Sequence, residues 1–163
     1  VNLSAMSSSS QGIMILLMLI GGSPGSTAGG MKTTTFAVLL ANIVATYSQQ
    51  DSAHFFDRRV DYNAIKLAST ILTMYIALFF SGGVFISAYE NLPLSSCLYE
   101  TASALGTVGL TLGITPQLHI PSQLILILLM YLGRVGSLTL MYAALSSKKT
   151  VNTKLPLEKI TIG

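Results

Sequence analysis

The sequence predicts an all-α integral membrane protein, and three observations carry that expectation. The first is composition: 51% of the 163 residues are hydrophobic and only 9% are charged. A soluble domain carries about 25% charged residues, so lipid rather than water is expected to solvate much of this surface. The second is the placement of base. Lys and Arg fall at 32, 58, 59, 66, 134, 148, 149, 154 and 159, with none between Lys66 and Arg134. Blocks of base separated by apolar stretches orient membrane helices, with the basic side in the cytoplasm. The third is length. Some apolar stretches reach the roughly 20 residues a spanning helix needs, and others are too short or broken by glycine and proline.

The first segment opens on apolar Ile13 to Ile20 and resumes from Phe36 to Ala45. Between them stands Gly21-Gly22-Ser23-Pro24-Gly25-Ser26-Thr27-Ala28-Gly29-Gly30-Met31-Lys32. The glycines and Pro24 forbid a continuous helix. A broken helix is therefore expected over residues 1–47, its halves joined by a polar loop at membrane depth. Such backbone is tolerated only where protein buries it or a watery cavity wets it. Residues 48–63 are polar, with Arg58 and Arg59, and are expected as a cytoplasmic loop. Ala64 to Ala88 is a spanning segment with no charge after Lys66.

Residues 93–105 are too few to span and suit a re-entrant helix started by Pro93. Gly106, Gly109 and Gly113 then interrupt helix, and Ile120 to Leu145 forms a last span with Arg134 near its middle. The tail 146–163 is polar and basic. Base at both ends places 48–63 and the C-terminus in the cytoplasm, so Glu90 to His119 must dip in from outside. The layout is membrane helix, pore helix, filter loop, membrane helix. It is a potassium-channel-like repeat over 64–145, preceded by the broken last helix of a previous repeat.

The loop 106–113 is the first candidate site. A cation crossing a membrane exchanges hydration water for protein oxygens, which extended backbone supplies as carbonyls. Glycines allow the necessary dihedral angles, and the re-entrant helix aims its partly negative C-terminal end at the same point. Gly106, Thr107, Val108, Gly109 and Leu110 are the candidate filter, with the carbonyls of Thr107, Val108 and Gly109 holding the cation. The glycine-rich segment 21–32 is the second candidate, a movable barrier facing a cavity. Arg134 is the third: a charge at mid-span faces a cavity or a partner, either to hydrogen-bond the loop carbonyls or to repel cations. Glu100 either attracts cations or serves as a hydrogen-bonded structural carboxylate. Cys97, the single cysteine, precludes an intrachain disulfide and acts as a small apolar residue.

Other chemistries fail on spacing. The net charge of +3 is not gathered on a continuous basic face, which argues against nucleic acid. Gly25 to Thr33 looks like a phosphate loop, but Met31 stands where glycine must precede Lys32. Ser23 or Ser26 as an intramembrane nucleophile needs a histidine base. His54 and His119 are expected on opposite faces, away from mid-membrane, so no enzyme is expected. A secondary transporter, with a broken helix aimed at a small organic or anionic solute, is the alternative.

Three stretches carry a family resemblance. Ile20 to Thr35 resembles the broken second helix of the third repeat in the Trk/Ktr/HKT superfamily of potassium transporters, with its intramembrane gate loop. Tyr99 to Pro116 resembles that family's fourth pore helix and filter, and Tyr131 to Thr139 its final helix with a gate-proximal arginine. The likeness is strongest to Ktr-type membrane subunits and covers essentially the whole chain.

The resemblance implies four membrane–pore–membrane repeats around one pore, of which this chain holds the end of the third and all of the fourth. Leu157 to Gly163 resembles a natural C-terminus, and the third filter would precede Val1. No initiator Met and no signal peptide open the chain, so it is expected to be a piece that does not conduct alone. The resemblance also implies Gly109 as filter glycine, Gly21 to Lys32 as gate loop and Arg134 as gate partner. It further implies a bacterial cytoplasmic-membrane location, a homodimer and a cytoplasmic nucleotide-binding regulatory ring. No covalent cofactor is implied. The function implied is potassium uptake that sodium stimulates. The filter reads Thr107-Val108-Gly109-Leu110 rather than Thr-Val-Gly-Tyr-Gly, which implies a looser filter and leaves the discrimination of K⁺ from Na⁺ open.

Overall fold

A computed structural model describes residues 3–50, 54–55 and 58–135. Its architecture is helical: α1 (Ser8–Ile20), α2 (Thr33–Tyr47), α3 (Tyr62–Glu90), α4 (Leu94–Gly106) and α5 (Ile120–Val135). A short antiparallel ladder, β1 (His54–Phe55) with β2 (Arg58–Arg59), lies between α2 and α3. The rest of the expected last span, 136–145, and the tail 146–163 lie outside the described residues.

Local signals explain the boundaries. Ser7 caps α1, its hydroxyl accepting from the Ser10 amide at 3.3 Å, so the helix starts before the apolar run. α3 stops at Asn91 in the left-handed conformation (φ 54°), a usual helix terminator. Pro93 immediately precedes α4, with an extended backbone (ψ 131°).

α3 is the described helix long and apolar enough to cross a membrane; α1, α2 and α5 are shorter apolar helices of 10–17 residues. α4 packs against α1, α3 and α5, and α2 packs on α3. Tyr99 through Gly106 are all buried, so the last two turns of α4 are enclosed on every side. Ile86, Cys97, Tyr99 and Leu105 form the deepest part of the core, with Leu126 and Leu129 from α5. The opposite face of α5 exposes Ile120, Leu124, Ile127, Leu128 and Tyr131, an apolar stripe at helical spacing.

One polar cluster ties α3 to the start of α5. Glu90 accepts from the His119 amide at 2.9 Å and from the Ser122 hydroxyl at 2.5 Å, and its other oxygen meets His119 Nδ1 at 2.7 Å. The carboxylate satisfies amide and hydroxyl donors at a helix N-terminus, where negative charge is favoured.

Candidate functional site

Four backbones converge at the buried end of α4, and glycine is what lets them do so. A Cβ on Gly106 would lie 2.5 Å from the Met18 carbonyl oxygen of α1. One on Gly29, in the loop between α1 and α2, would lie 2.6 Å from Thr107 Oγ1 and 3.0 Å from the Gly106 carbonyl. One on Gly133 would collide with the carbonyl of Leu105. Small residues permit this closeness between helices in a membrane.

The loop 21–32 is a compact clasp rather than a loose connection. Its stems pair through Met31 N–H to the Leu19 carbonyl and Thr33 N–H to the Gly22 carbonyl, both at 3.1 Å. Gly21 (φ 73°) and Gly30 (φ 87°) sit against each other, so that a Cβ on Gly30 would lie 2.7 Å from the Gly21 Cα. The tip turns at Gly25, with the Ser26 amide donating to the Ser23 carbonyl at 3.1 Å and the Ala28 amide to Ser26 Oγ at 3.3 Å. Ser23, Pro24, Gly25, Ser26, Thr27 and Ala28 are exposed, whereas Gly29 and Gly30 are buried. Ω-loops packed by their own groups have this form.

Lys32 holds the loop from inside. Its Nζ donates to the Ala28 carbonyl at 2.6 Å and to the Ser26 carbonyl at 3.2 Å. Its own backbone has a positive φ (78°, with ψ 140°), a region that residues other than glycine rarely adopt. Bonding these carbonyls was one of the two roles expected of Arg134, repelling cations the other. It is exposed in the last turn of α5 and makes no hydrogen bond or ion pair among the described residues.

The loop is also fastened to two neighbours. The Gly29 amide donates to Thr107 Oγ1 at 2.9 Å. The buried Tyr75 hydroxyl of α3 donates to the Gly30 carbonyl at 3.0 Å, with the Gly133 carbonyl 3.5 Å away. Removing that hydroxyl leaves a buried carbonyl without its donor. Tyr75→Phe is therefore expected to lower stability by about 1 kcal/mol. Thermal unfolding in detergent checks this, and an unchanged midpoint would show that the bond contributes nothing.

The expected filter segment requires one correction. Gly106 was expected to begin the extended loop, but it is the last residue of α4 and is buried. Its smallness serves the contact with Met18, not a special backbone angle. Thr107 takes the left-handed position instead (φ 53°, ψ 38°). The Val108 amide reaches the Ser103 carbonyl at 2.9 Å and the Thr107 amide the Ala104 carbonyl at 3.0 Å. This is the paired termination in which glycine normally stands. A β-branched residue there costs about 1–2 kcal/mol, and its hydroxyl meets the loop.

Beyond Thr107 the chain has no regular secondary structure. Val108 and Gly109 are exposed, Leu110 is half-buried against the core, and Gly109 has φ 81° with open space around it. Among the described residues, the carbonyls of Thr107, Val108 and Gly109 accept no hydrogen bond. Their lone pairs are available to a ligand. Further on, Glu100 takes the second of its two expected roles, a hydrogen-bonded carboxylate. It is 4% exposed and accepts from Thr111, Leu112 and Thr115. No group of three or more metal-ligating His, Cys, Asp or Glu side chains occurs among the described residues.

The chain matches the TrkH family, described as cation transport protein, over residues 1–152. It is 38% identical over 157 residues to the potassium/sodium uptake protein NtpJ of Enterococcus hirae, covering 93% of this chain and 35% of that protein. It is 34% identical over 149 residues to the Ktr system potassium uptake protein B of Bacillus subtilis, covering 91% and 33%. A protein of the same name from Vibrio alginolyticus is 34% identical over 151 residues, covering 93% and 33%. The chain thus spans about a third of the length of these relatives.

Proposed function

The chain belongs to the TrkH family of cation transport proteins, and from that premise we propose that it forms part of the translocating subunit of a potassium uptake system in the bacterial cytoplasmic membrane. The cation is held by the backbone carbonyls of Thr107, Val108 and Gly109. The loop from Gly21 to Lys32 gates the path beside it. The observation that carries this reading is the bond from the Gly29 amide to Thr107 Oγ1. It joins the glycine-rich loop to the residue that ends the buried helix α4 and opens the carbonyl-bearing segment.

Three physical features support the assignment. α4, at 13 residues, is about 20 Å long, too short to cross a bilayer, and its C-terminal dipole end favours a cation. The carbonyls at 107–109 are unpaired among the described residues, and such oxygens replace a hydration shell. Lys32 places an ammonium on the loop's own carbonyls, which would otherwise attract the passing ion. Relatives named for Ktr potassium uptake systems support a membrane subunit that works with other components. In this reading the full-length subunit is a homodimer on a cytoplasmic nucleotide-binding ring, and sodium stimulates uptake. Arg134, one residue beyond Gly133, supplies further positive charge near the gate.

The test is potassium uptake by the full-length protein in cells lacking their own uptake systems. The parent restores growth at low potassium. Lys32→Ala raises the maximal rate on the order of three- to tenfold, the effect of removing about 1 kcal/mol of electrostatic barrier. A parent that fails to restore growth contradicts the function. A Lys32→Ala variant with an unchanged or lower rate at equal membrane abundance contradicts the gate.

A further inference from the structure

The geometry points to Glu100 as a positioning residue that sets the preference among monovalent cations, by fixing the far end of the carbonyl-bearing segment. This inference rests on the filter reading proposed above.

Glu100 lies on the enclosed part of α4, behind the segment rather than in it. Oε1 accepts from Thr111 Oγ1 at 2.7 Å and from the Leu112 amide at 2.8 Å. Oε2 accepts from Thr115 Oγ1 at 2.7 Å. Thr111 Oγ1 also accepts from the Gly113 amide at 2.8 Å and lies 3.3 Å from Thr115 Oγ1. All three partners of the carboxylate are donors, which suits a group that only accepts. Among the described residues no base forms a salt bridge with it.

A buried carboxylate is costly unless donors surround it. Here those donors all come from one stretch of otherwise irregular backbone. The segment is consequently tied at two points. Its start is held by the helix termination at Thr107 and the Gly29 bond. Its far end is held by Glu100. Between these ties lie Val108 and Gly109, both exposed, and Leu110, half-buried against the core. The spacing of those oxygens is therefore set by the two ties together with the Leu110 contact. The size of the ring, or the number and field strength of the carbonyls that face the ion, separates K⁺ from Na⁺, and both follow from how the segment is held.

A brace and a bare charge make different predictions. A carboxylate that merely attracts cations strengthens binding of K⁺ and Na⁺ alike. A brace changes the ratio between them. Thr111→Val and Thr115→Val keep the charge and remove donors, so they isolate the brace.

The experiment measures, in the full-length transporter, KM for potassium uptake and Ki for sodium as competitor. Each is compared at equal membrane abundance. Thr111→Val and Thr115→Val are expected to change the K⁺/Na⁺ affinity ratio by about tenfold, the worth of one charge-assisted hydrogen bond. Glu100→Gln keeps Oε1 as acceptor for Thr111 and Leu112, so it retains more discrimination than Glu100→Ala. If Glu100→Ala does not accumulate, Thr115→Val decides alone. Equal weakening of both cations, or a fall in rate and abundance with the ratio unchanged, overturns the brace. Gly109→Ser runs beside these variants. A ratio moved by Gly109→Ser but by neither threonine variant overturns the brace and leaves the filter standing. A ratio moved by none of them overturns the filter.

Discussion

Replacing Gly133 by alanine is expected to unseat α5 from α4. A Cβ at that position would collide with the Leu105 carbonyl and lie 2.8 Å from the Leu105 carbonyl carbon. Both obstacles are backbone inside the last turn of a helix, so no rotamer change relieves them. Either α5 shifts outward or α4 tilts. Overpacking of this kind costs about 1–3 kcal/mol, and two further interactions go with it. The Gly133 carbonyl is 3.5 Å from the Tyr75 hydroxyl that bonds Gly30, and Leu105 is in the deepest core. The loss is therefore placed near 3 kcal/mol, the upper end of that range. The check is unfolding of the detergent-solubilised full-length protein, together with its uptake rate. Gly82→Ala, whose Cβ would meet mainly the Leu129 side chain at 2.8 Å, is expected to be milder because that contact can rotate away. An unchanged midpoint for Gly133→Ala would mean that the two helices do not approach so closely.

The helical class was legible because it is written in composition and in the placement of charge. From the sequence a span is expected over 64–88, and α3 occupies Tyr62–Glu90. A short helix is expected over 93–105, and α4 occupies Leu94–Gly106. Glycine, proline and charge are local signals, and they mark where helix stops without reference to the rest of the chain. The short ladder at His54–Phe55 and Arg58–Arg59 carried no such signal in a polar stretch.

The interactions at the site were less legible, since they join residues far apart in sequence. The Gly29–Thr107 bond spans 78 positions and the Tyr75–Gly30 bond 45, and no periodicity announces either. Gly106 was readable as a glycine that matters, but not as one needed for close packing rather than for turning the chain. Thr107 drew no expectation of a left-handed backbone, because threonine is disfavoured there and only the surrounding contacts impose it. For Glu100 the sequence left two roles open. Three donors within eleven to fifteen residues downstream resolve the hydrogen bonding, and the threonines at 111 and 115 were the signal available beforehand. Lys32 was visible as a charge beside the glycines. Its bonds to Ser26 and Ala28 follow from the loop folding back on itself.

If the carbonyls of Thr107, Val108 and Gly109 hold the transported cation, as proposed, Gly109→Ser alters how it is held. Gly109 has φ 81° and nothing within 4 Å of the position a Cβ would take. A serine there is disfavoured by backbone conformation alone, by about 1–2 kcal/mol, and meets no steric obstacle. The peptide relieves that strain by rotating, which turns the adjoining carbonyls away from the ion. Potassium uptake by the full-length subunit, parent beside variant, is measured at equal membrane abundance. The apparent KM for potassium is expected to rise about tenfold, as fits a penalty of this size, together with a changed preference over sodium. Parent and variant with the same KM and the same preference would contradict it, reduce Gly109 to a turn residue, and favour a solute transporter that binds its cargo at the broken helix.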